Sequence, residues 1–146
     1  MGLVDSFGAT VLVERHLFAL IDTDPDIEEP FSRLPQNASF VVHEGCVVVA
    51  SALEDQMARV RVELWDSMPD APGAEFLSMG EPASVDFDSE QIQLVNLMRE
   101  PAGDEYQLAD AGPYQVRVWV GPQEEDPEEH LQAYRLFERF VIQLWR

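Results

Sequence analysis

The sequence has no lysine and a single cysteine, Cys46, so no intramolecular disulfide forms and nine arginines supply every permanent side-chain positive charge. The all-arginine usage fits a GC-rich coding bias, although arginine also suits bidentate pairing with carboxylates. Histidine is as sparse: His16, His43 and His130 are scattered, and His43-Glu44 lacks the second histidine of a zinc-protease helix. Without paired cysteines there is no structural zinc motif either. Neither a G-x-S-x-G turn nor a glycine-rich phosphate loop occurs. Cys46 opens the run Cys46-Val47-Val48-Val49, a setting for a buried small hydrophobe rather than a reactive thiolate. These absences predict no metal, no cofactor and no nucleophilic catalysis. No stretch approaches 18 uninterrupted apolar residues, and no basic, apolar, small-residue leader opens the chain. A cytoplasmic location is the expectation.

What is present is acid. Among 146 residues, 28 are Asp or Glu, giving a formal charge of −19 on a chain that is still 46% hydrophobic. Disorder requires low hydrophobicity beside high charge, and eight Phe, three Trp and three Tyr argue for a core instead. One domain spanning 1–146 is the expectation at this length. A surface this negative repels phosphate backbones and anionic lipid head groups, which excludes ordinary nucleic-acid and electrostatic membrane binding.

Short β-like runs punctuated by turn residues dominate. Ala9 to Ile21 reads as one strand, broken by Asp22-Thr23-Asp24-Pro25-Asp26. Ser39 to His43 and Cys46 to Ala52 read as a hairpin turning at Glu44-Gly45. From Ala58 to Trp65, Val60, Val62 and Leu64 alternate with Arg59, Arg61 and Glu63, the pattern of a half-solvated strand. Glu75 to Ser78 reads as a short edge strand. Two further strands surround the polar turn Asp88-Ser89-Glu90, and 100–105 reads as a loop. Tyr114 to Val120 alternates most clearly of all. Asp126 as a cap, Pro127 at the first helical position and Glu128-Glu129 in the first turn predict a short helix over 127–136; periodicity leaves 137–145 open between helix and strand, and the need to close the sheet favours a last strand over 139–145. The expected fold is therefore mostly β: an antiparallel β-sandwich of seven to nine strands with one short C-terminal helix.

Acids cluster twice. Asp22, Asp24, Asp26, Glu28 and Glu29 put five carboxylates in eight residues; Glu124, Glu125, Asp126, Glu128 and Glu129 put five in six. The first cluster opens like a calcium loop, but Ile27 and Arg33 stand where that loop needs glycine and a bidentate glutamate. Asp86-x-Asp88 has no parallel nucleotide-binding domain around it and reads as a strand end with solvent-facing acids. If the two clusters share one rim, they make a dense negative field that attracts a basic protein surface such as the substrate groove of a nuclease. Electrostatic complementarity chiefly speeds association, while buried aromatics anchor; Trp119, Trp65 and Tyr114 are the candidate anchors, with core positions as the alternative.

Gly112-Pro113-Tyr114-Gln115-Val116-Arg117-Val118-Trp119-Val120, an acidic insert, and then Glu138-Arg139-Phe140-Val141-Ile142-Gln143-Leu144-Trp145 resemble the end of the competence protein J family. The order of strands upstream agrees, with Ala83 to Met98 resembling that family's penultimate strand pair, and similar segments occur in actinobacterial proteins. The acidic insert at 122–129 is longer than that family's. The resemblance implies a small acidic β-sandwich that inhibits a DNA-degrading nuclease. It assigns no inhibitory residue here, so the expected contact set rests on charge: the ten clustered acids and Trp119. The sequence thus predicts a non-enzymatic protein that neutralises a basic partner, a nuclease or toxin, by occluding its active site. The alternatives are an accessory domain whose acidity serves only solubility, and an enzyme working through paired carboxylates or a divalent ion.

Overall fold

A computed structural model describes residues 2–24, 29–125 and 135–146. Among these, thirteen strand segments form two large sheets and one small ribbon. The first sheet contains β1 (Leu3–Val13), β5 (Gln56–Trp65), β13 (Arg139–Trp145) and β10 (Gly112–Val120) in that spatial order. Its far edge is completed along β10 by two short segments, β6 (Leu77–Ser78) and β7 (Ala83–Phe87). The second sheet runs β3 (Phe40–His43), β4 (Cys46–Ala50), β2 (Leu17–Asp22), β8 (Gln91–Asn96) and β9 (Pro101–Gln107). β11 (Glu124–Glu125) and β12 (Leu136–Phe137) pair by themselves.

The alternating strands place Val60, Val62 and Leu64 of β5, Val116 and Val118 of β10, and Phe140, Ile142 and Leu144 of β13 on one face of the first sheet. This face meets Phe18 and Leu20 of β2, Val47 and Val49 of β4, and Ile92 and Leu94 of β8. Phe18 and Phe140 make the contact between sheets, ring centroids 5.1 Å apart in an edge-on arrangement. The second sheet is apolar on its other face too: Leu17, Ala19, Ile21, Cys46 and Val48 form a smaller cluster there, joined by Phe31 from the 3-10 turn Pro30–Ser32. That explains why β2 and β4 read as continuous apolar runs, and Cys46 is fully buried among them.

The mostly-β architecture agrees with the sequence, and the last strand lies over 139–145 as expected of an element that closes the sheet. Four particulars differ. The run 9–21 is two strands, because Arg15 and His16 take φ of 51° and 73° in a tight turn between β1 and β2. Two consecutive positive-φ residues suit a hairpin but are usually supplied by Asn-Gly, so Arg-His gives no signal. The stretch read as a loop over 100–105 is the edge strand β9; its Pro101 sits at the strand start and Gly103, at φ 76°, lets the strand pass against Ala9 of β1. The sheets are not wholly antiparallel: β13 inserts between β5 and β10, parallel to β5. The long chain between β5 and β13 supplies the crossover that a parallel pair needs. Finally, Arg135 and Leu136 are not helical, Leu136 lying in β12, while the rest of the predicted helix, 127–134, lies outside the described residues.

Candidate functional site

The strand directions fix where the acids go. β2 ends at Asp22, the β7–β8 turn holds Asp88-Ser89-Glu90, and β10 begins at Gly112 opposite Phe87, all at one end of the two packed sheets. Glu124 and Glu125 follow β10 out of the opposite end, a nine-residue strand away, about 26 Å at the usual rise per residue. Asp22 and Asp24 of the first cluster therefore do not share a rim with Glu124 and Glu125 of the second. Asp26 and Glu28 of the first cluster, and Asp126, Glu128 and Glu129 of the second, lie outside the described residues.

At the first end, Asp22 is structural. It is fully buried; Oδ1 accepts from the Asp24 backbone N–H at 2.9 Å and from the Ser89 hydroxyl at 2.5 Å, and Oδ2 accepts from the Ser89 backbone N–H at 2.9 Å. A buried carboxylate with three donors is held rather than displayed, and here it ties the end of β2 to the β7–β8 turn. Around it opens a cleft of about 600 Å³, lined by Thr23, Asp24, Asp88, Glu90, Gln91 and Gln107 among others. Gln107 holds one wall, its Nε2 donating to Glu90 at 3.0 Å while its Oε1 accepts from Gln91 at 3.2 Å. Glu44, in the turn whose Gly45 carbonyl accepts from the Asp22 N–H, and Asp110, beside the cleft-lining Ala111, extend the acidic surface. The nearby Arg146 pairs with Asp110 at 3.5 Å. Four exposed carboxylates, at 44, 88, 90 and 110, and the half-buried Asp24 thus gather at this end beside Arg146.

At the opposite end the charges are mixed. Glu124 pairs with Arg139 at 3.1 Å, while Glu125 is exposed; Glu29 of the first cluster, placed at neither end by the strand directions, pairs with Arg99 at 3.8 Å. Of the candidate anchors, Trp119 is 8% exposed on the outer face of the first sheet, with Nε1 donating to Gln143 at 2.8 Å. Tyr114 is buried and donates to the Asp110 carbonyl at 2.7 Å; half-buried Trp65 donates to Glu63 at 3.0 Å. None of the three offers a large free aromatic surface. Asp88 and Glu90 were visible as a polar turn, and Asp86-x-Asp88 as solvent-facing acids, but their place beside Asp24 follows from the pairing of β2 with β8.

Burial pushes the Tyr114 phenol up beside Asp110 and Arg146 at the acidic end; the other shifted groups are Tyr106, Asp5 and Asp66. The Tyr106 hydroxyl donates to Asp5 at 2.6 Å, linking the edge strand of one sheet to that of the other, and the Phe7 and Tyr106 rings stack at 4.5 Å. Partial burial, then this hydrogen bond, pushes the Tyr106 phenol up to about 12, and the same bond holds the exposed Asp5 carboxyl below its ordinary value. Asp66 is likewise lowered, chiefly by the Gly2 backbone N–H. Among the described residues no three His, Cys, Asp or Glu side chains come together as a metal site, and no helix is long and apolar enough to cross a membrane.

No protein-family model matches the chain, and no curated protein matches it in sequence. Two solved structures match its fold over nearly their full lengths. The product of crocagin biosynthetic gene J aligns with TM-score 0.58 over 97% of this chain and 98% of that one, at 14% identity. ComJ from Bacillus subtilis, an inhibitor of the DNA-degrading activity of NucA, aligns with TM-score 0.61 over 99% of this chain and 96% of that one, at 11% identity. This chain therefore has a ComJ-like fold.

Proposed function

We propose that this protein is a non-enzymatic binding protein that neutralises a basic partner, a nuclease or nuclease-type toxin, by covering its active site with the acidic end of the sandwich. The observation that carries the reading is the crowding of Asp24, Glu44, Asp88, Glu90 and Asp110 around one cleft, in a chain of net charge −19 with the fold of a nuclease inhibitor. Nucleases hold phosphates with cationic side chains, and displayed carboxylates occupy the same positions. Glu29, Glu124 and Glu125 add to the long-range field without lining the cleft. Asp26, Glu28, Asp126, Glu128 and Glu129 contribute charge to the same field.

The field raises the association rate and short-range contacts set the lifetime, so binding weakens as salt shortens the screening length to about 8 Å at physiological strength. The test is capture of partners from native lysate at low salt, elution by a salt gradient, and a DNA-degradation assay on the recovered protein with and without this chain. The expected result is one stoichiometric basic nuclease whose activity the chain suppresses, with association slowed at least about tenfold by combined Asp24→Lys, Asp88→Lys and Glu90→Lys. A partner bound equally well by the reversed variant, or one whose nuclease activity is unaffected, overturns the reading.

A further inference from the structure

At the end of β2 away from Asp22, the β1–β2 turn, the end of β4 and the segment leading into β3 border a cavity of about 500 Å³. Leu17, Leu34 and Pro35 give it apolar walls, and the small side chains of Ala50 and Ala52 leave the space open. Arg15, His16 and Asn37 also line it, with φ of 51°, 73° and 57°. These are three of the four non-glycine residues with positive φ among the described residues. Such backbone is costly for a residue with a Cβ, and it gathers where a site holds its ligands. The fold does not use up the polar groups on this lining. The Ser51 carbonyl accepts from His16 Nδ1 at 2.9 Å, which fixes the ring and leaves Nε2 as the nitrogen without a partner among the described residues. The Ser51 hydroxyl is itself committed, to Glu138 at 2.7 Å and Gln56 at 2.7 Å. Arg61, Arg99, Arg139 and Arg146 each pair with a carboxylate, whereas Arg15 has no ion pair among the described residues. Glu14 and Glu54 meet the same turn through their backbone carbonyls, which accept from the Leu17 and His16 N–H groups at 3.0 and 2.8 Å.

We propose that this cavity binds a small carboxylic acid with a compact apolar body, a branched-chain or aromatic acid. The Arg15 guanidinium, whose forked N–H donors match a planar carboxylate, takes the acid group, and the Asn37 amide and His16 Nε2 add hydrogen bonds from the same lining. Leu17, Leu34 and Pro35 receive the body, which covers a Leu34 that is otherwise 57% exposed. The volume falls in the ordinary range for small-ligand sites, and an apolar lining with a few convergent polar groups is their usual make-up. The cavity shares no described lining residue with the acidic cleft, so it stands independently of the inhibitor reading.

The test is an NMR titration of the full 15N-labelled chain with isovalerate, phenylacetate and indole-3-acetate, each beside its neutral amide, and with acetate as the acid group alone. Saturable shifts from at least one of the three acids are expected at the Arg15 Nε–Hε and at the backbone amides of Leu17, Asn37 and Ala52. That acid should bind at least about tenfold tighter than its amide, and Arg15→Gln should remove about the same factor, the loss of one charge-assisted hydrogen bond. Ala52→Phe, which fills the cavity, should weaken binding at least as much, and whichever variant keeps a dispersed amide spectrum is the one read. No saturation by any of the three acids, equal binding of acid and amide, binding of acetate as tight as that of the larger acids, shifts of the same size at Arg33, Arg99 and Arg146, or unchanged affinity in the folded variant overturns the proposal.

Discussion

The acidic end and the outer face of the first sheet treat charge in opposite ways. At the acidic end one carboxylate, Asp22, is buried and fully bonded, while those of Glu44, Asp88, Glu90 and Asp110 are exposed to solvent. On the outer face, buried polar groups form a connected chain. Trp119 donates to Gln143; Gln143 donates to Glu63 at 3.2 Å and to the Asp70 carbonyl at 3.0 Å; Trp65 and Arg61 also engage Glu63. The first region gives up local stability for a negative field. The second uses its charges and amides to satisfy one another beneath the 66–76 segment. Stability should therefore depend strongly on the network and on Asp22, and hardly at all on the displayed acids.

The largest effect is expected for Gln143→Ala, which leaves the buried Trp119 N–H and the Asp70 carbonyl without their partner, takes one donor from Glu63 and costs about 3 kcal/mol, measurable by urea denaturation. Asp22→Ala should follow at about 2 kcal/mol, because it leaves the N–H groups of Asp24 and Ser89 without their acceptor; amide exchange at those two positions should speed up with it. A loss as large from Asp88→Asn as from Asp22→Ala would break the division between buried and displayed carboxylates. Asp88→Asn with Glu90→Gln should instead change stability by less than about 0.5 kcal/mol, or raise it slightly by relieving repulsion. Raising salt from low to physiological strength should stabilise the wild-type chain for the same reason, read as an upward shift in thermal midpoint.

The smallest effect sharpens the comparison at a third place, the Tyr106–Asp5 link. The phenol titrates near 12 in the folded chain and near 10 when unfolded, so the folded state holds its proton more tightly. This contribution is complete below pH 10 and is lost as pH rises through 12. Tyr106→Phe should remove that alkaline slope and return the Asp5 carboxyl towards its ordinary value, both followed by pH-dependent denaturation and NMR titration.

Particular residues show how far the sequence carried. Alternation in Tyr114 to Val120 and in Ala58 to Trp65 specified which residues are strands and which face the space between the sheets, because period-two patterning is local, but not that Glu63, read as solvated, and Trp119 are buried on the outer face. The Arg15-His16 turn was illegible, since its positive φ values are imposed by the strands it joins. β9 was illegible because an edge strand needs neither an apolar face nor a full ladder, and Pro101-Ala102-Gly103-Asp104 has the composition of a loop. Trp119 could be read as an anchor or as core from sequence; its hydrogen bond to Gln143 depends on β10 lying beside β13.

By itself the sequence determined a folded, mostly-β, strongly acidic chain, because composition and alternation act residue by residue. Only the tertiary structure decided that Asp22 and Asp24 lie at the opposite end from Glu124 and Glu125, that Asp22 is a brace while Asp88 and Glu90 are displayed, and that Arg59, Arg61 and Arg139 converge. Each depends on which strand lies beside which and in what direction, and that is fixed by long-range packing of the two sheets around Phe18 and Phe140.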